Sequence, residues 1–475
     1  MLFYEPLFLF VFFPTFYLIY LLGERREGLR RGIILIASVL FYTWSEPLFV
    51  PLVIASAVSD HLIAQRIDSL LCRSRQAKLL LAIGVIINIA ILVHYKYTRF
   101  LIENLNGILH GISVEAIPVP YIILPIGVSF IVFEKITYLV DVYRRISRPA
   151  QRFVTYLLYV FFFPKLLAGP IIKYHEMESQ LYALPVARYD DISAGFLRFM
   201  MGVAKKTLIA DTLATGVDQI FALDPGGVGS TEAWCGVLFF AFQIYFDFSG
   251  YSDMAIGIAR MLGFRLRENF DMPYISCSIT EFWRRWHISL TTWIREYLYI
   301  PLGGNRVPPE RVYFNLWICF FASGLWHGAA WTYVVWGAYN GIFLVLDRLF
   351  LLRVLDRMPR PAANLITFAI VVVGWTIFRA HSMDQAIVFF RAMMHLGPPR
   401  HVTGVSISPD VTFIAAVAAV VCALPRMPGF DRLRRLVFAS PGCTLAMQTA
   451  ISLVFVLALG KAVADPFKPF LYFRF

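Results

Sequence analysis

Long apolar runs, separated by short clusters of arginine and lysine, dominate the chain. Between Arg311 and Asp347 there is no Asp, Glu, Lys or Arg. This charge-free run, residues 312–346, is too long for one bilayer crossing, which needs about 20 apolar residues. Both flanks are basic, and Lys and Arg stay on the cytoplasmic side, so an even number of crossings is required. We therefore predict two passes, with His327 deep in the bilayer near the bend.

The same alternation along the rest of the chain predicts an all-α polytopic membrane protein. Counting runs between basic clusters gives about 11 transmembrane helices, with re-entrant and interfacial helices in addition. The segment 153–172 is apolar but interrupted by Pro164 and Pro170, which favours a re-entrant hairpin. Arginines after the first run place the amino terminus outside the cytoplasm. We treat residues 1–475 as a single transmembrane domain.

A basic, Trp-rich segment precedes the charge-free run. Ser278 and Glu281 form a capping-box pattern, so a helix should begin there. Apolar residues then recur at the 3–4 spacing of one helical face across residues 282–298. The pattern predicts one continuous amphipathic helix at the cytoplasmic interface, with His287 on it.

Composition agrees with a membrane protein and narrows the choice of partners. Of 475 residues, 59% are hydrophobic and only 16% are charged, against ~25% charged in soluble domains. The net charge of +12 lies in clusters between apolar runs, so it indicates membrane topology and contact with anionic lipids rather than nucleic acid. The same charge would attract a cytosolic anionic substrate, such as a coenzyme phosphate. The six cysteines show no C-x-x-C pairing, and neither a disulfide nor a metal site is predicted.

Two histidines are the candidate catalytic residues. An imidazole in hydrocarbon is unfavourable unless it faces protein or water, so His327 carries a functional hypothesis; the alternative is a structural histidine bonded to a carbonyl. A histidine can take a proton from a hydroxyl that attacks a carbonyl carbon. A second one, such as His287, can orient it or support the developing oxyanion. With a donor from the cytosol and an acceptor from outside, this is acyl transfer across a membrane.

Two carboxylates, Asp247 and Asp253, lie within another membrane run. They either pair with buried basic groups and fix helix register, or form a proton relay with His327. The G-x-S-x-G, H-E-x-x-H and Walker A patterns are absent.

Ordered sequence blocks carry a resemblance to a known family. They are residues 124–130 (LPIGVSF), 138–143 (YLVDVY), 167–171 (LAGPI), 245–255 (YFDFSGYSDMA), 281–290 (EFWRRWHISL), 298–306 (LYIPLGGNR), 324–328 (GLWHG) and 469–473 (PFLYF). Over nearly its whole length the chain resembles the membrane-bound O-acyltransferases, and within them the bacterial alginate O-acetyltransferase-like branch.

The resemblance implies a fold, a reaction and roles for individual residues. His327 would be the catalytic base and His287 the second family histidine, in an inner-membrane O-acetyltransferase. Acetyl-coenzyme A would be the donor, with no permanently bound cofactor or metal, and a periplasmic acetyltransferase would pass the group to a polysaccharide. For donor binding we single out a run of four residues: Trp283, Arg284, Arg285 and Trp286. Supporting roles fall to a further set: Asp247, Ser249, Asp253, Trp326 and Asn305.

Two alternatives and one departure stay open. The same chemistry would serve a D-alanyl transferase fed by a carrier protein and acting on teichoic acid. A different class, a proton-coupled transporter or flippase, would use His327 and the two aspartates as its relay. Glu134 and Lys165 stand where this branch is expected to have glutamines, and a Glu–Lys pair across the two segments would be self-consistent.

Overall fold

The chain is built from helices. The computed structural model describes residues 1–23, 26–71, 74–224, 226–395, 407–427, 429–430, 432, 435–436, 440–465 and 468–471, and every regular element within them is helical. Within these described ranges, five helices are long and apolar enough to cross a bilayer, namely Arg75–Gly111, Ser230–Met261, Arg360–Arg379, Pro409–Arg426 and Gly442–Ala464. The predicted all-α membrane fold is confirmed, while the number of crossings stays a prediction.

The α-helices in chain order are α1 (Phe13–Leu22), α2 (Glu27–Ser45), α3 (Val50–Ser69), α4 (Arg75–Leu92), α5 (Thr98–Gly111), α6 (Val128–Tyr143), α7 (Phe153–Phe161), α8 (Phe163–Leu166), α9 (Tyr174–Tyr182), α10 (Tyr189–Ala204), α11 (Asp211–Phe221), α12 (Ser230–Met261), α13 (Ile279–Arg285), α14 (Ile288–Ile294), α15 (Pro309–His327), α16 (Trp331–Leu346), α17 (Leu352–Leu355), α18 (Arg360–Arg379), α19 (Met383–Met393), α20 (Pro409–Ala423) and α21 (Pro441–Ala464). Short π-helical segments are Phe8–Phe12, Val93–Tyr97, Lys205–Ala210, Arg295–Tyr299 and Asp347–Leu351, and 3-10 turns are Pro273–Ile275 and Leu424–Arg426. The apolar window of α12 is 78% buried and that of α21 only 6% buried, so α12 is a core helix and α21 faces its surroundings.

Residue contacts divide the chain into two compact units. One comprises Met1–Phe196 with Ala255–Arg267, and the other comprises Leu197–Met254 with Glu268–Phe475. Both histidines of interest belong to the second unit.

In the first unit, the two residues that depart from the expected glutamines form a buried ion pair. Glu134 on α6 and Lys165 on α8 are 2% and 1% exposed, and their charged groups are in direct contact. The second carboxylate oxygen of Glu134 accepts a hydrogen bond from the Ile172 amide at 3.3 Å. The pair therefore ties α6 to the interrupted stretch that follows α7, and the predicted Glu–Lys pairing and interruption are both confirmed.

In the second unit, the charge-free run folds as predicted into a helical hairpin, α15 and α16. The chain reverses between His327 and Trp331, where Gly328 and Ala330 are extended. The helices cross so closely that a Cβ on Gly324 would stand 2.3 Å from the Tyr333 carbonyl oxygen. Glycine is required at this crossing because the three atoms nearest to the missing Cβ, one from Tyr333 and two from Gly337, are all backbone.

The two membrane carboxylates are paired with cations. Asp247 lies 2.7 Å from Lys206 Nζ and also accepts the Leu471 amide at 2.8 Å. Asp253 contacts Arg198 at 2.8 Å and Lys205 at 2.6 Å. This confirms that they pair internally. Of the carboxy-terminal sequence block, residues 472 and 473 lie outside the described residues.

Candidate active site

His327 is the last residue of α15 and is enclosed by aromatic rings. It is 4% exposed. The centroids of Trp326, Trp336 and Phe378 lie 5.0, 5.1 and 5.4 Å from the imidazole centroid, all with edge-on geometry. Three such rings fix the plane of the imidazole by close packing.

The segment around His287 is not the continuous amphipathic helix that its periodicity predicts, and that prediction was wrong. Ser278 does cap α13, accepting the Glu281 amide at 3.0 Å, but the helix ends at Arg285. Trp286 is extended and His287 adopts the left-handed conformation, with φ +44° and ψ +54°, before α14 begins. The break turns the His287 side chain into the protein, where it is 1% exposed.

Trp326 brings the two histidines together. Its indole centroid lies 5.0 Å from the His327 ring and 5.9 Å from the His287 ring. Phe248, on α12, packs edge-on against His287 at 4.6 Å. Two imidazoles that are 40 residues apart in the sequence therefore share one indole as a common wall.

A cavity of about 450 Å³ approaches this pair from the side of α13 and α14. We call it the arginine cavity, because exposed Arg284, Arg295 and Arg348 line it. Its buried lining includes Trp283, Phe320 and Ser323, with Ser323 one helical turn before His327 on α15. Anionic groups at the arginines and a narrow chain reaching inward would fit this arrangement.

The inner lining stops short of His327. The ring centroid of Trp336 lies 5.7 Å from that of Trp283, which lines the cavity, and 5.1 Å from that of His327. Within the described residues the imidazole is thus separated from the arginine cavity by aromatic side chains. The indole Nε1 of Trp283 is buried and finds no acceptor in the described part of the chain. A buried donor without a partner is unfavourable, so this N–H is a candidate contact for a ligand carbonyl.

The four residues singled out for donor binding do not all lie at one place. Trp283 and Arg284 line the arginine cavity. Arg285 instead pairs with Asp271 at 3.0 Å and with Glu281 at 2.9 Å. Trp286 lies in an aromatic cluster, 5.1 Å from Phe270 and 4.9 Å from Trp375.

The supporting residues also separate into groups. Trp326 touches both histidines, and Asn305 lies in the lining of the arginine cavity, where its Oδ1 accepts from Tyr299 at 2.7 Å and from Arg348 at 2.9 Å. The two aspartates are held by cations, and Ser249 is buried within α12. Arg348, Arg295 and Ser323 line the cavity but were not among the site residues predicted from the sequence, although Arg348 is the first cation after the charge-free run.

The chain is a membrane-embedded acyltransferase: it belongs to the membrane-bound O-acyltransferase family, whose model matches residues 150–383. That stretch contains both histidines. Over the full length of both proteins, the chain is 38% identical to the probable alginate O-acetylase AlgI of Azotobacter vinelandii. It is 43% identical to the probable alginate O-acetylase AlgI of Pseudomonas aeruginosa, over 84% of this chain and 75% of the relative. Identity to the peptidoglycan O-acetyltransferase of Helicobacter pylori is 35%, over 83% of this chain and 80% of the relative.

Proposed function

We propose that this protein takes an acetyl group from acetyl-coenzyme A and passes it across the bacterial inner membrane. The acceptor is a hydroxyl of an extracytoplasmic polysaccharide, or a periplasmic acetyltransferase that completes the transfer. The observation that carries the proposal is the meeting of His287 and His327 at one indole, beside a cavity lined by three arginines. The relatives, named for O-acetylation of polymers, support acetyl as the group.

The arginine cavity suits a donor of this chemistry. Guanidinium groups bind phosphates well because they form paired, charge-assisted hydrogen bonds. The basic segment that contains Arg284 and Arg295 is predicted to be cytoplasmic, where the coenzyme is found. The pantetheine arm would then extend past Trp283, whose N–H can donate to an amide carbonyl of the arm, and would bring the thioester towards Ser323.

His327 is the proposed base. As the acceptor oxygen attacks the thioester carbonyl carbon, the imidazole takes the hydroxyl proton; the carbon–sulfur bond then breaks, and the thiolate leaves with that proton. His287, across the Trp326 indole, would orient the reactants or support the oxyanion. Because aromatic rings separate His327 from the arginine cavity, Trp283 or Trp336 must change rotamer when the donor binds.

The test is acetyl transfer by the purified protein in lipid vesicles. Wild type and His327→Ala are given radiolabelled acetyl-coenzyme A without any ion gradient, and acetylation of polymer is followed in cells as well. Loss of a general base predicts a fall of about 10²- to 10⁴-fold. His94→Ala, which changes an exposed histidine of the first unit, is the matched control.

Several outcomes would contradict the proposal. Normal polymer acetylation by His327→Ala, at normal protein level, would remove His327 from the chemistry. Transfer that occurs with a D-alanyl thioester and not with an acetyl thioester would favour the teichoic acid alternative. A requirement for a gradient would favour a transporter.

A further inference from the structure

The backbone of His287 lies in a conformation that its side chain does not favour. Left-handed backbone is unfavourable for residues other than glycine, because the Cβ comes too close to the following carbonyl oxygen. Such residues persist only where the surrounding structure holds them, and they cluster at functional sites. The question is therefore which residue holds His287 in this conformation.

Asn269 contacts the chain immediately after His287. Its carbonyl oxygen accepts the Ile288 amide at 2.9 Å. Its side-chain Oδ1 accepts from the Ser289 amide at 3.2 Å and from Ser289 Oγ at 2.9 Å. The first amides of a helix need acceptors from outside the helix. His287 occupies the cap position of α14 but makes no capping hydrogen bond with its side chain, and Asn269 supplies acceptors instead.

Asn269 is itself fixed to α12. It is 1% exposed, and its Nδ2 donates to Ser252 Oγ at 3.2 Å. One turn away on α12, Phe248 packs against the His287 ring. Phe248 also packs at 5.0 Å against Phe270, the residue next to Asn269. One short segment therefore holds both the backbone beyond His287 and the aromatic wall beside its ring.

We infer that Asn269 is the positioning residue for His287: it holds the left-handed turn that points the imidazole at Trp326. This inference rests on the proposed function, since it assigns a task to Asn269 only if His287 takes part in transfer. Asn269 touches neither donor nor acceptor in this scheme and acts through His287 alone.

The experiment is a double-mutant cycle on the full-length protein in lipid nanodiscs, with acetyl-coenzyme A as donor. Asn269→Ala removes all three side-chain hydrogen bonds and should lower kcat about 10- to 100-fold, because displacement of a reacting group by about 1 Å has effects of this size. The KM for the donor should stay within twofold. In a His287→Ala background the same change should have no further effect on kcat, because the residue it positions is gone.

Two further variants separate positioning from stability. Asn269→Asp keeps the acceptor for Ser289 and should recover most of the kcat lost in Asn269→Ala, and it also serves if the alanine variant fails to fold. Asn364→Ala is the matched control, since Asn364 donates to the carbonyl oxygens of Tyr274 and Ser276 at 2.8 and 2.7 Å. It should lower Tm and leave kcat within twofold.

Each contrary result has a distinct meaning. An equal fall in kcat on adding Asn269→Ala to wild type and to His287→Ala would make Asn269 a structural residue only and overturn the inference. So would a kcat for Asn269→Asp as low as for Asn269→Ala. If His287→Ala transfers acetyl as well as wild type, the proposed role of His287 fails and the inference falls with it. If wild type transfers no acetyl, the proposed function itself fails.

Discussion

Replacing Gly324 by alanine should separate α15 from α16 and displace His327. The new Cβ would stand 2.3 Å from the Tyr333 carbonyl oxygen and 2.9 Å from the Gly337 Cα. Both atoms are backbone, so no side-chain rotation relieves the contact. Moving the oxygen from 2.3 Å to at least 3.4 Å requires a shift of about 1 Å between the helices.

That shift sets two magnitudes. Overpacking of a close interface destabilises by about 1–3 kcal/mol, so Tm should fall by several degrees. His327 lies three residues beyond Gly324 on the same helix, and a displacement of about 1 Å should lower the rate of acetyl transfer about 100-fold. Tm is measured in detergent or nanodiscs, and transfer is measured with radiolabelled donor.

The control is Gly460→Ala on α21, where an added Cβ would meet nothing within 4 Å. It should leave Tm and transfer unchanged or slightly improve Tm, because alanine is the better helix former. If Gly324→Ala matches Gly460→Ala in both measurements, the close crossing does not set the position of His327.

Glu134→Gln alone leaves Lys165 buried without its counter-charge and should destabilise the protein by about 3–5 kcal/mol. The double variant Glu134→Gln with Lys165→Gln should have a stability within about 1 kcal/mol of wild type. Equal losses of Tm in the two variants would argue against the ion pair. Ser323→Phe fills the inner end of the arginine cavity and should lower kcat/KM at least about 10-fold. Ala322→Phe, beside it on α15, should not lower kcat/KM in this way. Similar losses in both variants would mean that the donor does not bind in this cavity. Arg348→Ala should raise KM for acetyl-coenzyme A about 10-fold and leave acetyl-pantetheine, which has no phosphate, unaffected. An equal rise for both donors would exclude a phosphate contact.

The hairpin of α15 and α16 could be predicted because the distribution of charges along the sequence is enough to indicate it. A run of 35 residues without charge, with basic residues on both sides, allows few arrangements in a bilayer. The bend also falls among small residues next to His327. The pairing of Asp247 and Asp253 was predictable for a similar reason, since carboxylates in a membrane run need partners.

The break at His287 could not be predicted from periodicity. Residues 279–285 and 288–294 are each helical, and the apolar spacing continues almost undisturbed across the junction. The bonds that hold the break come from Asn269, which precedes the capping box and carries no pattern of its own. A tertiary contact of this kind overrides local helical preference without leaving a mark in the spacing.

The four residues predicted to bind the donor do not all face the arginine cavity, and the reason is geometric. Consecutive helical residues point about 100° apart, and the helix ends at Arg285, so the four residues 283–286 do not face one side. Residues 283 and 284 face the arginine cavity, while 285 and 286 face other neighbours. The remaining lining comes from α14 and the segment that follows it, from α15, and from Leu344 and Arg348 at the end of the hairpin, which only the folded chain brings together.

The ion pairs of Asp247 and Asp253 also favour the acyltransferase hypothesis over the proton-relay hypothesis. A relay needs carboxylates whose charge can change while the helix around them keeps its structure. Asp247 is held by Lys206 and by the Leu471 amide, and Asp253 by Arg198 and Lys205, so protonating either carboxylate would break an ion pair with a buried or half-buried cation. The relay would therefore disrupt the packing it depends on. In the proposed acyl transfer the proton is taken by His327, so neither aspartate has to change its charge.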